Sequence, residues 1–154
     1  MKRITYLMML AAFAFSCVPE DKFDKATIEQ EVRLMLNAYD DSVRTKGLEG
    51  EFDFLDNSDE FYWVPPGYKY AINFDSVASI LRQTAPQLSY ITNEWDTLRV
   101  QALSKNYASF SGVVKSVVVT SSNDTIRTKL SETGLAVKRK TGWKLLSGQT
   151  NVVR

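Results

Sequence analysis

The stretch YASFSGVVKSVVVTSSNDTIRTKLSETGLAVK, residues 107–138, decides the fold of this chain. It contains two long runs rich in valine and threonine, residues that favour β-strands, and the polar connector SSND separates them. Polar connectors at residues 104–106 and 139–142 join this stretch to similar runs before and after it. Such connectors predict consecutive antiparallel hairpins. The predicted strands cover residues 95–103, 107–120, 125–138 and 143–152.

The residues before these strands favour helices. A first helix is predicted from Thr27, where Gln30 stands three residues on as in a capping box, to Lys46. Its apolar residues recur at helical spacing on one broad face: Ile28, Val32, Met35, Leu36, Tyr39 and Val43. A second helix is predicted over residues 74–85, with a short strand over residues 60–64 before it. Helices followed by a strand meander indicate an α+β domain in which helices cover one face of a curved antiparallel sheet.

The first residues of the chain have the pattern of an export signal. Lys2 and Arg3 give a positive start, and residues 4–15 form an uncharged run that is too short to span a bilayer. The run ends at AFSC, residues 14–17, which is similar to the lipobox of bacterial lipoproteins. Cys17 is the only cysteine, so it cannot form an internal disulfide. We predict cleavage before Cys17 and anchoring by lipid on it; the alternatives are a buried free thiol or a secretory signal that is removed whole.

This interpretation divides the chain into three parts. They are a signal peptide over residues 1–16, a lipidated tether over residues 17–25 and one domain over residues 26–154. Removing 16 of the 154 residues leaves 138, enough for one domain to bury a full core. Of the 19 basic residues, 17 remain against 18 acidic ones, which gives a net charge of −1, so no nucleic-acid partner is expected. The expected location is the bacterial cell envelope, on the outer membrane, facing the periplasm or the surface.

The last predicted strand carries a family resemblance. WKLLSGQT, residues 143–150, combines a tryptophan, two aliphatic residues and then small polar residues. With the order of helices and strands, it resembles the nuclear-transport-factor-2-like superfamily, including its SnoaL-like and ketosteroid-isomerase-like members. The similarity covers about residues 26–152, and Asp40 and residues 61–67 also fit it.

The resemblance implies a cystatin-like α+β roll. In such a roll the sheet curls around the first helix into a cone, and the open end of the cone is a pocket. Members of the superfamily use this pocket for isomerisation, dehydration, hydrolysis or binding, so the fold alone does not select a function. Members often dimerise through the outer face of the sheet, where Trp95, Arg99 and Gln101 are predicted to lie. A homodimer is therefore expected.

The composition limits the chemistry of the pocket. The chain has no histidine, which excludes histidine bases, histidine metal ligands and the triads built on them. A sole, lipidated cysteine likewise excludes thiolate catalysis and thiolate zinc sites. We therefore expect no metal and no cofactor. Where relatives often place histidine, this chain has Ser147, Gly148 and Gln149, which can orient a ligand but not exchange protons near neutral pH. Carboxylate and tyrosine chemistry remains open.

Side-chain alternation indicates which acids point into the cone. Asp96 shares a strand face with aliphatic Leu98, and Glu132 shares one with Leu130, so both acids are predicted to point inward. The alternative is that Asp96 lies at a solvated rim and Glu132 pairs with a lysine or arginine. Gly134 is predicted to mark a bulge. Asp40 and Asp41 are interpreted as a polar helix end. The predicted ligand contacts are Tyr39, Trp63, Asp96, Phe110, Glu132 and Gln149.

The leading functional hypothesis is a pocket that binds a small, largely apolar or aromatic molecule without catalysis. One alternative is a histidine-free isomerase or hydrolase, which needs a buried acid within reach of a tyrosine or a second acid. Another alternative is an envelope module for protein interaction, which would have a cone filled by its own side chains.

Overall fold

The computed structural model describes residues 23–153. The predicted signal peptide (residues 1–16), the predicted lipidation site Cys17 and most of the tether lie outside the described residues and stay predictions. Within the described range, no helix combines the length and the apolar character needed to cross a membrane.

The first helix, α1, spans Lys25–Lys46. The carboxylate of Asp24 caps it by accepting hydrogen bonds from the backbone N–H (3.2 Å) and the hydroxyl (2.6 Å) of Thr27. The predicted start at Thr27 is therefore too late, because Asp24 already satisfies the N–H that a capping box would satisfy. Gly47 follows the helix with a φ of 69°, and the predicted end is confirmed.

Short elements connect α1 to the sheet. A 3₁₀ helix covers Gly47–Asp53, and strand β1 covers Tyr62–Val64. Helix α2 spans Phe74–Thr84, and the Asn73 side chain caps it. A second 3₁₀ helix, Ala85–Gln87, leads into the sheet. The predicted short strand and second helix are thus present, both slightly shorter than expected.

Five strands form one curved sheet in the order β1-β5-β4-β3-β2. Strand β1 joins the edge of β5 in parallel, and the other neighbours are antiparallel. The predicted α+β fold is confirmed. The bounds of the four long strands are Leu88–Ala102 for β2, Tyr107–Thr120 for β3, Thr125–Arg139 for β4 and Gly142–Val152 for β5. Strand β2 begins before the predicted residue 95, because its first residues also pair with β3.

A β-bulge at Asp96 reverses the side-chain alternation of β2. Trp95 pairs with Val114 and Thr97 pairs with Val113, which leaves Asp96 as the extra residue. Trp95 therefore packs against the core on the concave face, whereas Asp96 points to the convex face. The predicted inward direction of Asp96 and the predicted outward direction of Trp95 are both wrong for this reason.

The bulge predicted at Gly134 is also wrong. Strand β4 pairs regularly with β3 through Gly134, and the shift falls in β5, where Leu146 is skipped between two paired residues. Gly134 has a different role. A Cβ at this position would lie 2.8 Å from the Phe110 ring, so glycine lets that ring rest directly on the sheet.

Helix α1 lies against the concave face of the sheet. Three of its aliphatic side chains are almost completely buried there: Val32, Leu36 and Val43. Each such side chain stabilises the fold by roughly 1.5–3 kcal/mol. Polar contacts fix the orientation of the helix, since Arg33 donates to the Leu98 carbonyl (3.0 Å) and the Trp143 indole donates to Glu31 (2.8 Å).

Candidate functional site

A cavity of about 400 Å³ lies between α1, α2 and the concave face of the sheet. Most of its lining is apolar, so the polar groups that reach it stand in apolar surroundings. The cone is therefore not filled by its own side chains. The aromatic and acidic residues that line the cavity are Tyr39, Glu51, Phe61, Trp63 and Glu132.

Strand β1 holds Trp63 at the wall of this cavity. Trp63 is the register partner of Gly148 in β5, and a Cβ on Gly148 would lie 2.7 Å from the indole ring. Glycine is thus required for the ring to rest on the strand. The indole N–H donates to the Thr150 hydroxyl at 3.1 Å. Trp63 therefore lines the cavity in a fixed orientation.

Strand β4 places Glu132 on the cavity side, opposite Thr150 of β5. The Thr150 hydroxyl donates to the Glu132 carboxyl group at 3.3 Å. Because the Trp63 N–H can only donate, the Thr150 oxygen accepts a hydrogen bond from Trp63, and the Thr150 O–H donates one to Glu132. Burial raises the pKa of Glu132 to about 7, although the hydrogen bond from Thr150 opposes the rise.

The 3₁₀ helix places Glu51 beside Tyr39 of α1 in the same cavity. Burial raises the pKa of Glu51 to about 8; the Tyr39 hydroxyl lowers it, and the charges of Glu132 and Asp40 raise it further. The pKa of Tyr39 is itself raised well above its usual value, first by burial and then by the charge of Glu51.

Glu51 is not among the residues predicted to line the pocket, although the sequence contains a pattern that indicates its position. Glu51 stands three residues after Leu48 and four before Leu55, and both leucines are buried. At helical spacing the three residues share one side. This spacing could have predicted an acid that faces the core.

Asp40 is also buried, on the core side of α1. Burial raises the pKa of Asp40 to about 7, and the charges of Glu132 and Asp41 add to the rise. The interpretation of this pair as a polar helix end is therefore wrong for Asp40. A polar helix end correctly describes Asp41, which is exposed and whose carboxylate lies 2.9 Å from the Arg44 guanidinium.

Asp96 does not reach the cavity, which corrects its prediction as a polar ligand contact. Its carboxylate binds Lys115 at 2.5 Å and Lys129 at 2.9 Å on the convex face. Hydrogen bonds from these two lysines lower the pKa of Asp96. The bulge in β2 is the physical cause, because it turns this side chain away from the cone.

Phe110 and Gln149 do not line the cavity either. Phe110 faces the concave side but is buried in the core, where Trp95 packs edge-on against it with ring centroids 6.2 Å apart. Gln149 is exposed beside Thr133 on the convex face, because Thr150 takes the inward position in β5. Of the predicted contacts, the structure thus brings together Tyr39, Trp63 and Glu132, and their role in ligand binding stays a prediction.

The acids give the cavity groups that change protonation near neutral pH. At a pKa of about 7 to 8, Glu132 and Glu51 can each donate or accept a proton under ordinary conditions. No group of three or more acidic, cysteine or histidine residues within residues 23–153 is arranged to hold a metal ion. The carboxyl groups of the cavity can form hydrogen bonds and exchange protons.

Comparison with solved structures identifies the fold. A nuclear transport factor 2-like superfamily protein from Salmonella enterica has a TM-score of 0.71 at 18% identity, and the match covers 84% of this chain and 93% of that chain. A protein with a cystatin-like fold from Caulobacter vibrioides has a TM-score of 0.64 at 16% identity, over 81% of this chain and 89% of that chain.

The chain has the nuclear-transport-factor-2-like fold. The hexachlorocyclohexane dehydrochlorinase of Novosphingobium barchaimii shares it, with a TM-score of 0.66 at 11% identity, over 84% of this chain and 88% of that chain. No family model and no curated protein matches the sequence. The likeness is therefore one of fold, and the fold alone does not select a function.

The raised pKa of Glu132 predicts a specific dependence of stability on pH. The folded state keeps a proton on Glu132 up to about pH 7, whereas the unfolded chain loses it near the ordinary value of 4.5. The free energy of unfolding therefore falls as the pH rises through this window. Between pH 5 and pH 8, we expect the free energy of unfolding of Glu132→Gln to fall by about 2 kcal/mol less than that of the wild type, as measured by urea unfolding.

The matched control for this experiment is Glu49→Gln, because Glu49 is an exposed acid in the same 3₁₀ helix as Glu51. This variant should keep the wild-type dependence on pH. An equal loss of stability in Glu132→Gln and the wild type would contradict a protonated Glu132 in the folded state.

Proposed function

We propose that the cavity binds a small, largely apolar or aromatic molecule. The observation that carries this proposal is the cavity itself, about 400 Å³ in volume, with a mainly aliphatic and aromatic lining. Pockets for small molecules commonly combine this size with a few polar groups that fix the orientation of the ligand. In this cavity Glu51 and Glu132 would serve that purpose, and Trp63 offers a flat ring against which a ligand can stack.

The cavity gives less support to a module for protein interaction. That hypothesis required a cone filled by its own side chains, and such a cone would leave no room for a small molecule. The open volume beside Trp63 and Glu132 favours a ligand that enters the cone.

The proposal also includes a location. The protein is exported and held at a membrane of the bacterial envelope by lipid on Cys17, on the outer membrane with the domain facing the periplasm or the surface. Its support is the sequence: the uncharged run over residues 4–15, the AFSC segment and the single cysteine. Stable anchoring takes more than one acyl chain, and the lipobox resemblance implies that more than one is present. Homodimerisation through the convex face of the sheet is a further part of this proposal.

Filling part of the cavity should weaken binding. Thr128 lines the cavity from β4 and is only partly buried, so Thr128→Phe places a ring in the open space with little strain. We expect the wild type to bind 1-naphthylmethanol, a neutral bicyclic probe, and the variant to bind it at least about tenfold more weakly. Isothermal titration calorimetry measures both affinities.

Thr133→Phe is the matched control for this prediction, because Thr133 lies on the same strand and is exposed on the other face. Its affinity for 1-naphthylmethanol should equal that of the wild type. If Thr128→Phe also binds as the wild type does, the probe occupies another site and the binding proposal fails.

Replacing the proposed lipidation site should release the protein from the membrane. In a bacterial host, we expect the wild type in the membrane fraction and Cys17→Ser outside it, because serine cannot form the thioether that carries the lipid. Fractionation and the mass of the N-terminal peptide measure this difference. A Cys17→Ser protein that still sediments with membranes would contradict the anchoring proposal.

One observation also favours a second function, proton transfer by a histidine-free enzyme. Glu51 and Glu132 have pKa values of about 8 and 7, and Tyr39 lies beside Glu51. A carboxylate with such a pKa can take a proton from a carbon next to a carbonyl group, while a tyrosine or a protonated acid stabilises the oxygen. A dehydrochlorinase shares the fold, although this fact concerns that protein only.

Exchange of a carbon-bound proton tests this second function. We expect the wild type to accelerate deuterium exchange into 1-tetralone, an aromatic ketone, when followed by NMR in heavy water. Glu132→Gln should slow this exchange by about 100-fold, since the amide cannot act as a base, whereas Glu49→Gln should not change it. Binding of 1-tetralone without any exchange would exclude proton abstraction from this ketone and leave the binding proposal standing.

A further inference from the structure

We propose that the cavity selects molecules that carry a protonated amine on an apolar or aromatic body. This inference rests on the proposed binding function and names the chemical class of the ligand. It follows from the charges, the acceptors and the aromatic rings that line the cavity.

The ionisable side chains that line the cavity are all acids. Glu51 and Glu132 reach it from the 3₁₀ helix and from β4, and none of the described residues that line it is a lysine or an arginine. Asp40 stands behind them on α1, close enough to act on both carboxyl groups. An anionic ligand would therefore meet no positive charge here and would be repelled by either carboxyl group once it ionises, whereas a cation would be attracted to it.

Nearby basic side chains are already engaged on the outside of the cone. Lys115 and Lys129 both bind Asp96 on the convex face. Arg139 binds the Asp56 carboxylate at 2.7 Å, away from the cavity lining. None of these three side chains pairs with the acids of the cavity, so these acids are available to pair with a cationic ligand.

The remaining polar and aromatic groups of the cavity also suit a ligand that donates hydrogen bonds. The amide oxygen of Asn93, a residue in the cavity wall, accepts no hydrogen bond, and because it has almost no surface accessible to solvent a donor reaches it only if the side chain turns. The rings of Phe61 and Trp63 face the same space. An ammonium group has three donors and no acceptor, and it is attracted to the faces of aromatic rings. The two carboxyl groups and the two rings thus line the same space, in which a cation would lie.

Binding of an ammonium group has a proton balance that can be measured. A protonated carboxyl group of Glu51 or Glu132 loses its proton to solvent, and the resulting carboxylate forms an ion pair with the ligand. No bond of the ligand forms or breaks. The other titratable groups that face these acids are Tyr39 and Asp40. Tyr39 already holds its proton, because its pKa is raised well above the usual value, and Asp40, with its pKa raised to about 7, takes up a part of the released proton only where it is ionised.

The test compares three probes of nearly equal shape by calorimetry at pH 6.5. They are 1-naphthylmethylamine, which is a cation, 1-naphthylmethanol, which is neutral, and 1-naphthoate, which is an anion. We expect the amine to bind at least about tenfold more tightly than the alcohol, and the anion to bind most weakly. Titrations in two buffers of different ionisation enthalpy should show that the amine alone releases a proton, and its affinity should rise between pH 6 and pH 8.

A double variant separates the charge effect from the shape of the cavity. Glu51→Gln combined with Glu132→Gln should still bind the alcohol, but the preference for the amine and the release of protons should disappear. Glu49→Gln should keep both, since Glu49 is an exposed acid in the same helix. Should the double variant fail to fold, Glu132→Gln alone should lower the preference and the proton release.

The outcomes distinguish this inference from the function on which it rests. Equal or weaker binding of the amine than of the alcohol in the wild type would overturn the inference and leave the binding proposal intact. A preference for the amine that persists in the double variant would overturn the role of the two acids. Absence of binding by all three probes would contradict both the inference and the proposed function.

Discussion

The structure depends on the burial of one face of α1 against a strongly curved sheet. Val32, Leu36 and Val43 are almost completely buried in that contact, and the sheet must bend to surround them. Aromatic rings lie directly on strand glycines, as Phe110 does on Gly134, and glycines inside strands commonly mark such bends. The strands therefore close around the helix at one end, and the space that remains at the other end is the cavity.

That closure also determines the chemistry of the cavity. Asp40, Glu51 and Glu132 come from a helix, a 3₁₀ helix and a strand, yet all three lie in apolar surroundings. Ionised carboxyl groups are unfavourable there, and the pKa of each is raised for that reason. Acids in such positions reduce stability near neutral pH, and such perturbed groups are commonly found at functional sites.

The fold and the site could be predicted from the sequence where a local pattern determines the structure. Strand β3 and the hairpin connectors follow from β-forming runs and polar turns, and alternation from Leu130 placed Glu132 inside. Alternation failed at Asp96, because this extra residue in β2 changes which face a side chain takes. Gln149, which the family resemblance placed in the pocket, faces outward because Leu146 is an extra residue in β5. The burial of Phe110 depends on a ring from another strand, Trp95, which no local pattern contains.

The position of Trp63 has a consequence for how this protein can be observed. All three tryptophans lie in the described range, and Trp63 alone among them lines the cavity, while Trp95 and Trp143 pack in the core. Indole fluorescence responds to the polarity and the charge around the ring. Since the Trp63 N–H is linked through Thr150 to Glu132, a change of occupancy or ionisation in the cavity is transmitted to one ring. The protein thus contains its own optical reporter, and no label is needed to follow events in its interior.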